Sequence, residues 1–291
     1  MFTGTLVAMI TPFQDGKVDF RTLEELIEFH LQSDTDGLVP CGTTGESPTL
    51  THSEHKQVIE RVVKAAGGKI PVLAGTGSNS TAEAIELTAF AKKAGADASL
   101  QVCPYYNKPT QEGFYQHFKA IAEEVDLPMV LYNIPGRCGG NGLTAETIAK
   151  LAQIENIVGI KEATGRLDMA SEIANLCDLT ILSGDDSLTL PIASVGGKGV
   201  ISVVANIVPG DVKAMTDLIL EGDLVSARKW HNKLFALSKN LLGMATNPIP
   251  IKAAMAMLGM ASDEMRLPMT PLDERSKKEL ARLLADYGLK V

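Results

Sequence analysis

Eight short apolar segments recur along the chain, and each is followed by a stretch with the periodicity of an amphipathic helix. The apolar segments are residues 5–10, 37–41, 70–75, 98–103, 128–133, 157–161, 179–183 and 199–203. Helical patterns follow the first four at 22–31, 53–65, 82–94 and 114–125. Strands that alternate with helices pair in parallel, because each helix returns the chain to the same edge of the sheet. Eight such units in series predict an α/β fold of the closed (β/α)8 TIM barrel type.

An open, doubly wound sheet is the alternative arrangement for alternating strands and helices. Such sheets usually have fewer strands and carry a glycine-rich phosphate turn. The candidate turn Gly75-Thr76-Gly77 lacks the third glycine, because position 80 is Ser80. The sequence also has no G-x-x-x-x-G-K-[ST] motif, so neither nucleotide fingerprint is present.

The residues after the barrel units differ in character. Helical patterns at 225–242, 248–258 and 272–287 follow the last strand, with no further strand candidate. The sequence therefore predicts a catalytic barrel in residues 1–222 and a C-terminal all-helical domain in 223–291, packed on the barrel or on a partner chain.

Composition limits the possible partners and the compartment. Acidic residues outnumber basic ones by 35 to 27, which gives a net charge of −8 and disfavours binding to nucleic acid or anionic lipid. No apolar run approaches the ~20 residues of a membrane span, and residues 1–4 lack the pattern of a signal peptide. The four cysteines include no Cys-x-x-Cys and are expected to be reduced thiols. We therefore expect a cytoplasmic protein.

Lys161 ends the sixth apolar segment and precedes a polar turn, an unusual place for a solvated lysine. A free lysine has a pKa of about 10.4, so less than ~0.1% is neutral at pH 7. Burial at the end of an apolar strand favours the neutral, nucleophilic amine. The chemistry suited to such an amine is Schiff-base formation with a carbonyl substrate.

Other polar residues follow the predicted strands, where catalytic groups of (β/α)8 barrels lie. The glycine-rich turn at 42–47 contains Thr43 and Thr44, and either forms an anion-binding nest or is simply a tight turn. Tyr132 follows the fifth strand and is a candidate acid/base beside Lys161. The Arg137 guanidinium can form paired hydrogen bonds with a substrate carboxylate, or it can simply take part in a surface ion pair.

Several polar residues have simpler explanations. Asp185 and Asp186 follow the seventh strand and are predicted to cap the next helix, although a metal or acid/base role is open. His52 and His55 lack a third ligand at suitable spacing, so no metal site is predicted. Residues 51–54 and 80–83 each match a capping box.

Taken together, these motifs resemble the dihydrodipicolinate synthase family of class I pyruvate aldolases, whose superfamily includes N-acetylneuraminate lyase. The resemblance runs essentially end to end. It rests on the ordered motifs at 42–47, 104–109, 132–137, 159–162, 184–186 and 247–250.

The resemblance implies catalysis without metal or organic cofactor. Lys161 would attack the ketone of pyruvate and form an imine. Thr43, Tyr132 and Tyr106 would relay protons, with Tyr106 reaching in from a neighbouring subunit. Condensation with L-aspartate 4-semialdehyde would give 4-hydroxy-tetrahydrodipicolinate, the first committed step of diaminopimelate and lysine biosynthesis.

Substrate-binding and regulatory residues are implied in the same way. The backbone of Thr43 and Thr44 would hold the pyruvate carboxylate, Arg137 would receive the carboxylate of the aldehyde, and Ile201 would line the pyruvate pocket. Relatives are commonly homotetramers, built as dimers of dimers, and many are inhibited by L-lysine. The matching lysine-site positions here are Ser47, His52, His55, Asn79, Glu83 and Tyr105.

Two other functions are compatible with these motifs. A related aldolase acting on a sugar acid such as N-acetylneuraminate would use the same Lys161 and Tyr132, but Arg137 and Tyr106 suit a short charged aldehyde better. A non-catalytic ligand-binding homologue would keep the fold and lose the chemistry. The presence of Lys161, Tyr132 and Thr43 together argues against that function.

Overall fold

Parallel strands closed into a barrel form the centre of the fold in the structure, a computed structural model that describes residues 2–291. The strands are β1 (Gly4–Ala8), β2 (Gly37–Val39), β3 (Leu73–Gly75), β4 (Ala98–Val102), β5 (Met129–Asn133), β6 (Ile157–Glu162), β7 (Thr180–Ser183) and β8 (Gly199–Ser202). They pair in the order β2-β1-β8-β7-β6-β5-β4-β3. A parallel bridge between Leu38 and Val72 joins the two remaining edges, which confirms the predicted (β/α)8 barrel.

Helices follow each strand and cover the outside of the barrel. Those of the barrel are α1 (Phe20–Gln32), α2 (His52–Ala66), α3 (Thr81–Ala94), α4 (Gln111–Glu124), α5 (Ala145–Leu151), α6 (Leu167–Leu176), α7 (Thr189–Ala193) and α8 (Pro209–Leu220). Three further helices confirm the predicted helical extension: α9 (Leu224–Met244), α10 (Ile249–Met257) and α11 (Glu274–Tyr287). Within residues 2–291, none of the helices has the length and apolarity needed to cross a membrane.

Local sequence explains where these helices begin and end, as α2 illustrates. The Thr51 side chain accepts from the Glu54 N–H while the Glu54 carboxylate accepts from the Thr51 N–H, so the predicted capping box is confirmed. Gly67 ends the helix in the left-handed region at a φ of +57°. Between these ends, Val58, Ile59 and Val62 are buried against the barrel.

The core connects the barrel with the C-terminal helices. One cluster of buried side chains, including Leu6, Leu73, Val130 and Leu182, fills the barrel interior. A larger cluster surrounds part of the barrel and joins α1, α2 and α8 to α9, α10 and α11 through buried aliphatic residues. The predicted boundary at 222/223 lies between α8 and α9, but the helices on its two sides pack in one continuous core.

Candidate active site

Lys161 lies at the carboxyl end of β6, with its side chain directed into the mouth of the barrel. In the register of the two neighbouring strands, Lys161 is paired with Tyr132 of β5. The Lys161 Nζ lies 4.3 Å from the centroid of the Tyr132 ring. Lys161 is only 5% exposed, so its amine is largely removed from water.

The surroundings of Lys161 favour its neutral form. Burial lowers the pKa of the amine to about 8, because a charged ammonium loses its hydration there. The negative charge of Asp186 opposes this shift, and the positive charge of Arg137 adds to it. At neutral pH the neutral amine is therefore far more abundant than in a free lysine.

Tyr132 provides a protonated phenol beside that amine. The side chain is buried, and burial raises its pKa to about 12, against the opposing effects of Arg137 and of the Thr43 hydroxyl. At neutral pH Tyr132 is therefore a proton donor, and it becomes a base only after giving its proton away.

The turn after β2 presents two backbone donors. Its fold is set by hydrogen bonds from the Gly45 N–H to the Gly42 carbonyl (3.1 Å) and from the Glu46 N–H to the Thr43 carbonyl (3.1 Å). The N–H groups of Thr43 and Thr44 have no protein acceptor within residues 2–291. Two adjacent free donors of this kind are the arrangement of an anion-binding nest, one of the two alternatives that the sequence left open.

Arg137 lies exposed at the mouth of the same cavity, in the short helical turn Pro135–Arg137 after β5. Its Nη2 donates to the backbone carbonyl of Asn247 at 2.8 Å. The Asn247 Nδ2 in turn donates to the Thr44 hydroxyl at 3.0 Å. Asn247 thus links two predicted site residues, although its place in the 247–250 motif alone predicts no such role.

These residues surround a cavity of about 310 Å³. Its walls also include Ile134, Ala163, Gly184, Asp185, Val203, Leu242, Ala245, Thr246 and Asn247. The volume suits a small substrate. Ile201, predicted to line the pocket, is instead buried in the barrel interior cluster that includes Tyr132, and Val203 lines the cavity from the end of β8.

Gly184 leaves room for the lysine side chain. A Cβ atom at this position would lie 3.1 Å from the Lys161 Cε and 2.6 Å from the Ala163 Cβ. Both contacts are shorter than normal van der Waals separations, so a side chain at position 184 would clash with Ala163 and crowd the end of the Lys161 side chain.

The two aspartates after β7 have different roles. Asp185 accepts from the Ser187 N–H at 3.1 Å, which confirms the predicted cap for this residue. The same prediction is wrong for Asp186, which is buried and accepts from the Ser202 hydroxyl (2.5 Å) and the Val203 N–H (2.9 Å). Asp186 therefore fixes the end of β8 beside the cavity and places a carboxylate near Lys161.

Tyr106 lies outside the cavity of its own chain. Its side chain is 90% exposed and its φ is +70°, in the left-handed region. It is the most exposed of the large hydrophobic side chains in residues 2–291. The structure therefore gives Tyr106 no contact with Lys161 of the same chain, and its predicted place in a neighbouring site stays a prediction.

The six positions predicted for a lysine site lie in the segments that follow β2, β3 and β4. Four of them contact one another in two pairs: the His52 Nε2 lies 2.7 Å from a Glu83 carboxylate oxygen, and the Asn79 Nδ2 donates to the Tyr105 carbonyl at 3.2 Å. Glu83 also accepts from the Ser78 hydroxyl, so its side chain does not complete the capping box predicted for residues 80–83.

His55 and Ser47 occupy less accessible positions in the same group. The His55 Nε2 lies 2.7 Å from the Gly75 carbonyl oxygen, and the ring is buried. Ser47 begins the short helical turn Ser47–Thr49 that follows the anion nest. Within residues 2–291, no group of three or more His, Cys, Asp or Glu is arranged to hold a metal ion.

The fold and the site together define a class of protein. A buried lysine with a lowered pKa, a tyrosine beside it and an anion nest at the carboxyl end of a (β/α)8 barrel are the machinery of lyases that form a Schiff base with a carbonyl substrate.

Comparison with known proteins identifies the family within this class. The model of the dihydrodipicolinate synthetase family matches residues 1–287, and the chain belongs to that family. The 4-hydroxy-tetrahydrodipicolinate synthase of Geotalea uraniireducens is 53% identical, over 99% of this chain and 100% of the relative.

Solved structures agree with this assignment. The chloride-inhibited dihydrodipicolinate synthase of Acinetobacter baumannii, complexed with pyruvate, superposes with a TM-score of 0.97 at 45% identity over 100% of both chains. The enzyme of Cyanidioschyzon merolae with lysine bound gives a TM-score of 0.95 at 42% identity over 99% of both chains.

Proposed function

We propose that this protein condenses pyruvate with L-aspartate 4-semialdehyde to give 4-hydroxy-tetrahydrodipicolinate, for diaminopimelate and lysine biosynthesis. The observation that carries the proposal is the buried Lys161 amine, its pKa lowered to about 8, beside Tyr132 in a cavity with free backbone donors. The names of full-length relatives at about half identity support the choice of substrates.

The first step joins pyruvate to the enzyme. The neutral Lys161 amine adds to the ketone carbon of pyruvate, and the resulting hydroxyl leaves as water with a proton supplied by Tyr132. The product is a protonated imine on Lys161. The pyruvate carboxylate accepts hydrogen bonds from the free N–H groups of Thr43 and Thr44, which orient the ketone toward the amine.

The second step forms the carbon–carbon bond. The protonated imine withdraws electrons, so the methyl group of pyruvate loses a proton to the Tyr132 phenolate and an enamine forms. The enamine carbon attacks the aldehyde, and Tyr132 returns the proton to the new alkoxide. The amine of the second substrate then attacks the imine carbon and displaces Lys161, which closes the ring. One water is released overall.

Arg137 supplies the selectivity for the second substrate. Its guanidinium at the cavity mouth suits a planar carboxylate, with which it forms paired, charge-assisted hydrogen bonds. The hydrogen bond from Arg137 to the Asn247 carbonyl fixes the side chain, so the guanidinium is oriented before the substrate binds. The polyhydroxylated aldehyde that a sugar-acid aldolase joins to pyruvate would offer no carboxylate to this guanidinium.

Tyr106 completes the proton relay from a second subunit. Its exposure in one chain supports this role, because an assembly would cover the ring and bring its hydroxyl to a partner's cavity. A homotetramer built as a dimer of dimers is the assembly that we propose, with the protein in the cytosol.

L-Lysine is the proposed inhibitor at the six positions in the segments that follow β2, β3 and β4. The Glu83 carboxylate offers a partner for a lysine ammonium group, and the burial of Tyr105 raises its pKa, so its hydroxyl remains a hydrogen-bond donor. Calorimetry with millimolar lysine tests this site, and the absence of binding heat would remove it.

A substrate panel tests the main function. Purified protein is incubated with pyruvate and L-aspartate 4-semialdehyde, and separately with N-acetylneuraminate, and products are identified by mass spectrometry. Cyclic product from the first mixture alone is the expected result. Cleavage of N-acetylneuraminate without reaction of the semialdehyde would favour the sugar-acid aldolase, and no turnover of either would favour the ligand-binding homologue.

A further inference from the structure

A lysine of the C-terminal extension is buried close to the anion nest, far along the chain from the barrel strands. Lys252 of α10 is 0% exposed. Its ammonium group donates to a Glu46 carboxylate oxygen (2.6 Å), to the Thr11 carbonyl (3.1 Å) and to the Glu264 carbonyl (2.6 Å). All three of its donors are therefore used, and the charge has a partner.

Glu46, the other member of the pair, belongs to the turn that carries the nest. It is 3% exposed, and its φ of +52° places it in the left-handed region. Its backbone N–H donates to the Thr43 carbonyl, and its second carboxylate oxygen accepts from the Arg266 N–H at 3.3 Å. The side chain of Glu46 thus connects the extension to the peptide that follows Thr43 and Thr44.

The same turn is held at two further points. The Thr11 hydroxyl donates to the Gly45 carbonyl at 2.7 Å, while Lys252 holds the Thr11 carbonyl. The Asn247 side chain of the extension donates to the Thr44 hydroxyl. Residues 247–266 therefore contact the nest turn directly at Thr44 and Glu46, and indirectly through Thr11.

A buried ion pair contributes little by itself to the free energy of unfolding. Removing two charges from water costs free energy, and replacement by apolar residues of similar size is often neutral or stabilising. Such a pair does fix geometry, because each charge demands its partner in one place. The position of this pair, next to the nest and shared between the two parts of the chain, points to a role in geometry.

We infer that Glu46 and Lys252 form a positioning pair that holds the backbone N–H groups of Thr43 and Thr44 in place for the pyruvate carboxylate. The C-terminal extension is then part of the catalytic apparatus and not an appendage. This inference rests on the proposed function. It concerns how tightly pyruvate is bound and not which groups react.

The test compares three variants with the wild-type protein. Glu46→Gln keeps an oxygen for Lys252 but removes the charge, Lys252→Met leaves Glu46 unpaired, and the double variant removes both charges. Lys213→Met is the matched control, because Lys213 pairs with Asp36 at the opposite end of the barrel (3.1 Å). Each is assayed for melting temperature, kcat, the KM of each substrate, and pyruvate-dependent borohydride trapping.

The expected result distinguishes a change in the geometry of the pyruvate-binding turn from a loss of folded protein. The folded double variant should need more pyruvate for half-maximal trapping and lose kcat/KM for pyruvate by roughly 10- to 100-fold, the order expected for a misplaced binding group. The KM of the aldehyde should change little, and Lys213→Met should keep the pyruvate KM of the wild type. Glu46→Gln should show a smaller loss, because it keeps the Lys252 hydrogen bond.

Two outcomes would overturn the inference. One is a double variant that is folded and has the wild-type pyruvate dependence. The other is a loss of activity that only follows the loss of folded protein in every variant. If the double variant does not fold, a wild-type pyruvate dependence in Glu46→Gln has the same consequence. An inactive wild-type protein would instead contradict the proposed function.

Discussion

The replacement Lys161→Met should abolish activity and stabilise the fold. Burial lowers the Lys161 pKa from 10.5 to about 8, so the folded state disfavours the proton that the unfolded chain holds tightly. One pKa unit corresponds to about 1.36 kcal/mol, and the full shift to about 3 kcal/mol. Methionine fills a similar volume without a charge, which removes this cost.

The sign of the effect fixes its pH dependence. Below a pH of about 8 the lysine is protonated in both states, and the cost is fully present. Above about 10.5 it is neutral in both, and the cost vanishes. The stabilisation by methionine that comes from this charge should therefore be about 3 kcal/mol at pH 7 and about 1 kcal/mol at pH 9.5.

Urea unfolding at fixed protein concentration measures the stabilisation by methionine at pH 7 and at pH 9.5. The pH dependence is the decisive part, because the apolar gain from methionine does not change with pH. Lys252→Met is the contrast, since it leaves the Glu46 carboxylate buried without a counter-charge and should lower the free energy of unfolding. The reasoning is refuted if Lys161→Met lowers the free energy of unfolding at pH 7, or if its stabilisation is the same at pH 7 and pH 9.5.

Three further experiments test individual roles. Tyr132→Phe should lower kcat by roughly 10²- to 10⁴-fold, the usual contribution of an acid/base group, with little change in the pyruvate KM; an unchanged kcat would contradict its role. Arg137→Met should raise the KM of the aldehyde and leave pyruvate trapping on Lys161 intact, so impaired trapping would argue against the assignment. Mixing unfolded Tyr106→Phe and Lys161→Ala chains and refolding them together should restore activity, because a mixed assembly contains sites with both residues; no recovery in a verified mixed oligomer would place Tyr106 outside the partner's site.

The barrel could be predicted because its signal is local and repeated. Each strand is a continuous apolar run between helical stretches, and eight such units without a nucleotide-binding turn favour the closed arrangement. The predicted ends of the strands were less accurate. The segment 37–41 forms a strand only over Gly37–Val39, because Pro40 has no N–H to donate and Cys41 turns to a φ of +56°.

The main site residues could be predicted for the same reason. Lys161, Tyr132, Thr43 and Arg137 each lie at the carboxyl end of a strand or shortly after it, and closure of the barrel brings these ends together. Tyr106 follows a strand too, but its ring is exposed and does not line the cavity of its own chain. A single chain gives no contact from which its role follows.

The supporting residues were missed because their partners are distant in sequence. Asn247 bonds to Thr44 across 203 positions, and Lys252 bonds to Glu46 across 206. A signal existed for Lys252, which is the single charged residue in the apolar segment 248–260. A lone charge in an otherwise apolar helix requires a buried partner, but the sequence does not say which carboxylate supplies it.

The most direct test of the account is chemical trapping of its first intermediate. The protein is incubated with pyruvate and borohydride, its intact mass is measured, and the modified peptide is mapped. One reduced pyruvyl adduct per chain is expected, on Lys161 and not on Lys252, which is also buried. No adduct, or an adduct on another lysine, would contradict the claim that Lys161 forms the Schiff base.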